Sequence, residues 1–161
     1  MDSLDIVVCG RTITSFRDYR HTGIYRTLLR ALAARGHRIT FLERRGAVDP
    51  RFQDLDPLPY CDLHFYDDLD ELRDRFSGSI RRADLVLVGS GLDEGVAINT
   101  WVLDGTPGIR VFYDLEGPAT LESAGAGECP WLSLSQASAF DLYLTCTGGP
   151  LLGQLERRLG V

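Results

Sequence analysis

The chain has no lysine: all 17 basic residues are Arg. This excludes chemistry that needs a lysine side chain, namely a P-loop lysine, a Schiff-base lysine and the late lysine of a receiver domain. Cysteine is limited to 4 residues, Cys9, Cys61, Cys129 and Cys146, with no C-x-x-C spacing. They read as reduced thiols of a cytoplasmic protein, neither a disulfide frame nor a zinc site. No apolar run reaches the ~20 residues of a membrane span. The acidic stretch Met1 to Asp5 leads straight into a strand, so no signal peptide is expected. Net charge is -6, and the pairs Arg44-Arg45 and Arg81-Arg82 read as solvated ends of elements. No nucleic-acid partner is therefore expected.

The chain does have enough apolar material for a core. It has 161 residues, 44% of them hydrophobic and 25% charged, which fits one domain over 1–161. Leu4 to Cys9 is a continuous apolar run closed by Gly10, the pattern of a buried parallel strand. A polar loop, Gly10 to His21, is longer than the ~2–6 residues usual for a strand-to-helix connection. Ile24, Leu28 and Leu32 then repeat at helical spacing, predicting a helix over Gly23 to Arg35 that ends at Gly36. His37 to Leu42 is the second strand, and Glu43 to Pro59, with Gly46, Pro50 and Pro57, is a loop.

Asp62 to Tyr66 reads as a third strand. Asp67 to Arg82 reads as a helix opened by acids and closed by bases, as the helix dipole favours. Asp84 to Val88 is a strand, followed by Gly89-Ser90-Gly91 and a helix over Asp93 to Leu103 with Asp93 as its cap. Ile109 to Tyr113 is a strand, with a short helix from about Ala119 and a helical stretch from Trp131 to Ala139. Asp141 to Cys146 is the last strand, and Leu151 to Leu159 the last helix, with Pro150 at its first position. Strands alternating with helices predict an α/β fold, a doubly wound and mainly parallel sheet with helices on both faces.

In such a sheet, ligands bind beyond the carboxyl ends of the strands. Asp114 and Glu116 fall at one such end, before Gly117-Pro118. Asp114 fits two roles, a strand-end cap and a site acid. His21 likewise fits two, a base or anion-binding group and a residue packed at a helix start. Gly89-x-Gly91-x-x-x-Gly95 is a loose dinucleotide pattern, but it comes late in the chain, and tight turning explains its glycines. The flanks of Ser90 do not match a nucleophile elbow. No metal and no cofactor are expected. The crevice walls are expected to be Thr12, Thr14, Ser15 and His21 from the first loop, with Ser90, Gly91, Asp114, Glu116, Thr147, Gly148 and Gly149.

Three segments carry a resemblance. Thr22 to His37 looks like the first helix of GT-B glycosyltransferase N-terminal domains. Together with Val111 to Leu121 and Asp141 to Pro150, it resembles the spore-maturation CgeB-like glycosyltransferases. That family usually shows an aromatic-Asp-x-Asp-x-Pro-x-Thr-Leu segment and a Gly-Gly-Pro turn. Here Asp18-Tyr19-Arg20-His21 stands where Gly-Asn-Gly-His is common, and Glu116 and Gly117 depart from Asp and Thr. The resemblance implies a Rossmann-like domain, the acceptor-side half of a nucleotide-sugar-dependent enzyme, with the donor-binding C-terminal half absent and catalysis not expected from this chain alone. It implies a hydroxylated acceptor or nucleotide-sugar as ligand, with His21 or Asp114 as base. The alternative is a non-catalytic module that docks on a missing C-terminal domain, a partner subunit or a second copy. A nucleotide-binding domain is the third reading.

Overall fold

The protein is described by a computed structural model covering residues 2–15, 17–54 and 58–161. Met1 and Pro57 lie outside the described residues. The described residues form six strands: β1 (Asp5–Cys9), β2 (Arg38–Arg44), β3 (Asp62–Tyr66), β4 (Leu85–Gly89), β5 (Ile109–Asp114) and β6 (Leu142–Thr145). They form one sheet in the order β3-β2-β1-β4-β5-β6. Every pairing is parallel, so the expected mainly parallel sheet is wholly so. The helices are α1 (Tyr19–Ala33), α2 (Leu69–Arg82), α3 (Gly95–Gly105), α4 (Gly117–Ala126), α5 (Leu134–Ala137) and α6 (Pro150–Leu159).

The central strands β1 and β4 are buried on both faces, which is why they read as unbroken apolar runs. Each face has its own core. On one, Tyr25 and Leu29 of α1 pack on Ile6, Val8, Ile39, Phe41, Leu87 and Val111. On the other, Phe76, Ile98, Leu121 and Leu155 represent α2, α3, α4 and α6 against Val7, Val86, Val88 and Phe112. Helices therefore lie on both faces, as expected, but among the described residues α1 stands alone on its side. Ile109, Leu142 and Leu144 on that side are 47%, 48% and 43% exposed.

Several boundaries differ from the sequence expectation, each for a local reason. α1 starts at Tyr19 and not Gly23, because the Asp18 carboxylate caps it by accepting from the His21 amide. His21 thus sits in the first turn of the helix, not at the end of the loop. Asp93 does not cap α3; Glu94 occupies the cap position without a side-chain bond. α4 begins at Gly117 with Pro118 in its first turn, where the missing amide of Pro costs nothing. The predicted helix over Trp131 to Ala139 shortens to α5, started by a capping box between Ser133 and Gln136. Gly36 does follow α1 with a left-handed φ of 87°.

Candidate functional site

The strand order reverses between β1 and β4, and a crevice opens there beyond the strand ends. It is a cleft of about 350 Å³ lined by Arg11, Asp18, Arg20, His21, Gly91, Asp93, Glu116 and Trp131. The first strand's loop and the start of α1 supply one wall. The turn after β4 supplies the floor, and the turn after β5 together with the α4–α5 connection supplies the other wall.

The centre of the cleft is a hydrogen-bonded group of His21, Glu116 and Arg20. His21 Nε2 donates to Glu116 Oε1 at 2.8 Å, and the Arg20 guanidinium donates to Glu116 Oε2 at 3.3 Å. His21 is almost fully buried, at 3% exposure, and its Nδ1 has no partner among the described residues. The Glu116 side chain keeps 24% of its surface exposed, so it is the member of the pair that faces the cleft. Arg11 donates to Asp18 Oδ2 at 3.2 Å and to the Gly91 carbonyl at 2.7 Å, which ties the first loop to the turn after β4. Gly91 has a φ of 79°, and a Cβ there would stand 3.2 Å from His21 Cε1.

Asp114 has a different place. It is fully buried. Its Oδ1 accepts from the Glu116 amide at 2.9 Å and Thr120 Oγ1 at 2.8 Å, and its Oδ2 accepts from the Tyr143 hydroxyl at 2.7 Å. Thr120 Oγ1 in turn accepts from Trp131 Nε1 at 3.0 Å. The carboxylate therefore ties the end of β5 to α4, to β6 and to the aromatic wall of the cleft. Burial and the adjacent Asp114 carboxylate push the Tyr143 hydroxyl far above its usual titration range, so it remains a donor.

The other expected wall residues separate into two groups. Thr12, Thr14 and Ser15 are buried within the first loop and do not line the cleft. Glu43, at the end of β2, accepts from Thr12 Oγ1 at 2.9 Å, the Ile13 amide at 2.8 Å and Thr14 Oγ1 at 2.6 Å. Burial raises the Glu43 carboxyl above its usual value, and these bonds oppose that rise. Thr22 Oγ1 donates to the Ser15 carbonyl at 2.7 Å. Ser90 is buried and accepts from the Leu115 amide at 2.9 Å, holding β4 to β5. Thr147 lies against Gly117, whose hydrogen leaves the room a Cβ would fill, and Gly148 and Gly149 are exposed before α6. Of the eleven expected residues, His21, Gly91 and Glu116 are brought together at the cleft.

Sequence reasoning did not assign Arg11, Asp18, Arg20, Asp93 and Trp131 to a wall. Arg11 follows the Gly that closes β1, and Arg20 adjoins His21, so position alone signalled both. Trp131 carried no such signal, because its place depends on how the α4–α5 connection folds back.

Two features bear on phosphate ligands. In dinucleotide sites the pyrophosphate meets a helix N-terminus at the switch point. Here the first turn of α1 already holds the Asp18 carboxylate. The N-terminus of α3 is covered by the Pro130–Trp131 backbone: the Val96 amide donates to the Pro130 carbonyl at 3.2 Å, and a Cβ on Gly95 would stand 2.5 Å from Trp131 Cα. The glycines of the loose Gly89–Gly95 pattern thus have packing reasons. Gly89 has its own: a Cβ there would stand 1.7 Å from the Tyr25 hydroxyl. The Cys9 thiol at the end of β1 is pushed up to about 12 by burial, so it is not a thiolate nucleophile at neutral pH. Among the described residues no group of three or more His, Cys, Asp or Glu is arranged to hold a metal ion. No helix among them is long and apolar enough to cross a membrane.

Strand order and cleft position define the class: a Rossmann-like α/β domain with a polar switch-point crevice. No protein-family model matches the chain, and no curated protein matches it by sequence. Among solved structures it is similar to the C-terminal domain of Coenzyme A biosynthesis bifunctional protein CoaBC. The identity is 10% over 76% of this chain and 68% of that chain, with a TM-score of 0.43. A likeness of that size carries no functional argument, and the class rests on this chain's own topology.

Proposed function

We propose that the switch-point cleft binds a hydroxylated acceptor, and that the domain is the acceptor-side half of a nucleotide-sugar-dependent glycosyltransferase of the GT-B type. The observation that carries the reading is the His21–Glu116 pair at the cleft, with its carboxylate facing the opening. A carboxylate held from behind by an imidazole and from the side by Arg20 is oriented to accept the proton of a ligand hydroxyl. On this reading Glu116 is the base that touches the acceptor, and His21 and Arg20 position it. Of the two bases expected, His21 or Asp114, the first holds the Glu116 carboxylate and the second sets the backbone from which Glu116 projects.

The ligand class follows from what the cleft offers. Carboxylates and guanidiniums beside an aromatic wall suit a polyhydroxylated ring. Blocked helix termini and guanidiniums already paired with acids do not suit a phosphate. The nucleotide-sugar is then expected to be gripped by a second domain, and the isolated chain to bind acceptor without transferring sugar.

The test is a titration with a panel of mono- and disaccharides, followed by NMR shifts of the cleft residues. Glu116→Gln should weaken binding by about tenfold, the ~1.4 kcal/mol of one hydrogen bond to a charged group. A panel in which no sugar perturbs the cleft residues refutes acceptor binding. Turnover of a nucleotide-sugar by this chain alone refutes the half-enzyme reading.

A second reading, a partner-docking module, is favoured by a different observation. Among the described residues, the sheet face shared by Ile109, Leu142 and Leu144 carries no helix where β5 and β6 run. If a second copy docks there, Leu142→Glu should convert a dimer to a monomer in sedimentation. A wild-type chain that is monomeric at all accessible concentrations removes the homodimer form of this reading.

A further inference from the structure

We infer that Glu43 is a positioning residue for the cleft. It touches no ligand there; its buried carboxylate clasps the first loop and so sets the wall that carries Arg11 and Asp18. This rests on the acceptor-binding reading above and extends it, by assigning what holds that site in shape.

Glu43 is fully buried near the end of β2 and does not line the cleft. A carboxylate in such a place loses its hydration, and hydrogen-bond donors must compensate it. The first loop supplies three. Oε1 accepts from the hydroxyls of Thr12 and Thr14 at 2.9 and 2.6 Å, and Oε2 accepts from the Ile13 amide at 2.8 Å. Thr12 Oγ1 accepts in turn from the amides of Thr14 and Ser15 at 3.1 and 3.2 Å. Its lone pairs are therefore taken, and its proton is committed to Glu43. No neutral side chain of the same shape meets this set. A glutamine turns its NH2 group toward either the Ile13 amide or the Thr12 hydroxyl, and one donor is left unpaired either way.

The clasp reaches the cleft through the backbone on both of its sides. Arg11 directly precedes Thr12; it pairs with Asp18 at 3.2 Å and donates to the Gly91 carbonyl at 2.7 Å. On the other side, Ser15 Oγ accepts from the amides of Arg17 and Asp18 at 3.3 and 3.2 Å, and the Ser15 carbonyl accepts from Thr22 Oγ1 at 2.7 Å. Asp18 then caps α1 at the His21 amide, and His21 holds Glu116. Arg11 and Asp18 are thus both fixed to the segment from Thr12 to Ser15, and Glu43 fixes that segment. The loop has other ties: Arg26 Nε donates to the Ile13 carbonyl at 2.8 Å, and Ser15 bridges to Gln53. They engage different groups from the three donors of the clasp, so a weakened clasp loosens the loop without unfolding the domain.

The test uses the whole chain with Glu43→Gln, beside a control, Ile80→Val, which trims the buried core on the other face of the sheet. Amide hydrogen exchange reads the loop. In Glu43→Gln, protection of the Ile13, Thr14 and Ser15 amides should fall about tenfold further than that of Val7 and Val88 in the central strands, the scale of one lost bond to a charged group. NMR reads the wall: the Arg11 Nε, Asp18 amide and Gly91 amide resonances should shift in Glu43→Gln and stay in place in Ile80→Val. Affinity for cellobiose and maltose should fall about five- to tenfold in Glu43→Gln and less than about twofold in Ile80→Val. Thr14→Val removes one clasp bond and leaves the carboxylate two donors; it serves where the glutamine variant does not fold, with smaller changes of the same sign at the same amides. Loop protection that falls no further than that of the strands overturns the clasp. Unmoved wall resonances, or unchanged affinity for a sugar that binds the wild-type chain, overturn its positioning role. Failure of these sugars and of the rest of the panel to bind the wild-type chain overturns the acceptor reading, while the exchange and resonance results still uphold or overturn the clasp.

Discussion

Replacing Asp114 tests the organisation of the site most directly. Asp114→Ala removes the acceptor for three donors at once: the Glu116 amide, the Thr120 hydroxyl and the Tyr143 hydroxyl. Net values of ~1.5–3 kcal/mol for each bond to a charged group would sum to roughly 5–9 kcal/mol. The carboxylate is fully buried, however, and its desolvation offsets several kcal/mol of that sum, leaving about 3–5 kcal/mol. At ~2–4 °C per kcal/mol for a domain of this size, Tm should fall by roughly 6–20 °C in a calorimetric or circular-dichroism melt. Asp114→Asn should cost far less, about 1–2 kcal/mol, because the amide oxygen still accepts from Glu116 and Thr120. The Tyr143 hydroxyl needs only to rotate and accept from the new amide group. A fall below about 3 °C for the Ala variant would refute the claim that this network holds the site wall. Equal losses for Asn and Ala would refute the rotating-hydroxyl account. Asp114→Asn should also retain ligand affinity within about twofold; a folded Asn variant that loses the ligand would return Asp114 to a ligand-touching role.

Two further predictions follow from packing and from charge. A Cβ on Gly89 would stand 1.7 Å from the Tyr25 hydroxyl and 3.0 Å from Cζ, so Gly89→Ala should destabilise by about 1–3 kcal/mol. The Tyr25 hydroxyl is buried without a partner among the described residues, so Tyr25→Phe should be neutral or stabilise by up to ~1 kcal/mol and should relieve part of the Gly89→Ala cost in a double-mutant cycle. Full retention of that cost in the Phe background would refute the clash. The Arg110 guanidinium and amide hold the Asp141 carboxyl down at about 2. A lowered folded-state pKa gives stability present above the unfolded value and lost as pH falls through the folded one. The pair is partly exposed, so screening limits it to about 0.5–1 kcal/mol. Asp141→Asn should lower stability by that amount at neutral pH, and the gap should close between about pH 4 and pH 2 in chemical denaturation; a gap that persists below pH 2 refutes the assignment.

The strands and most of the helices were legible because their signals are local. β3 matched its predicted range from Asp62 to Tyr66, since a short apolar and aromatic run between turn-rich and helix-starting segments is read without knowledge of neighbours. Helix starts were less legible, because caps compete. Asp18 and Asp93 both precede a helix, yet only Asp18 caps one.

The site divides in the same way. The sequence by itself determined the alternation of strands and helices, the absence of lysine chemistry, and the placement of His21, Gly91 and Glu116 beyond strand ends. It could not determine which acid faces outward. Asp114 and Glu116 are two residues apart, and a cap and a base look alike in one dimension. Only the tertiary structure decided this, because the three donors that surround Asp114 come from Glu116, from Thr120 one helical turn on, and from Tyr143 on the next strand. Burial and saturation by donors distant in sequence make one carboxylate a structural tie. The open cleft across from α1 leaves the other available to a ligand.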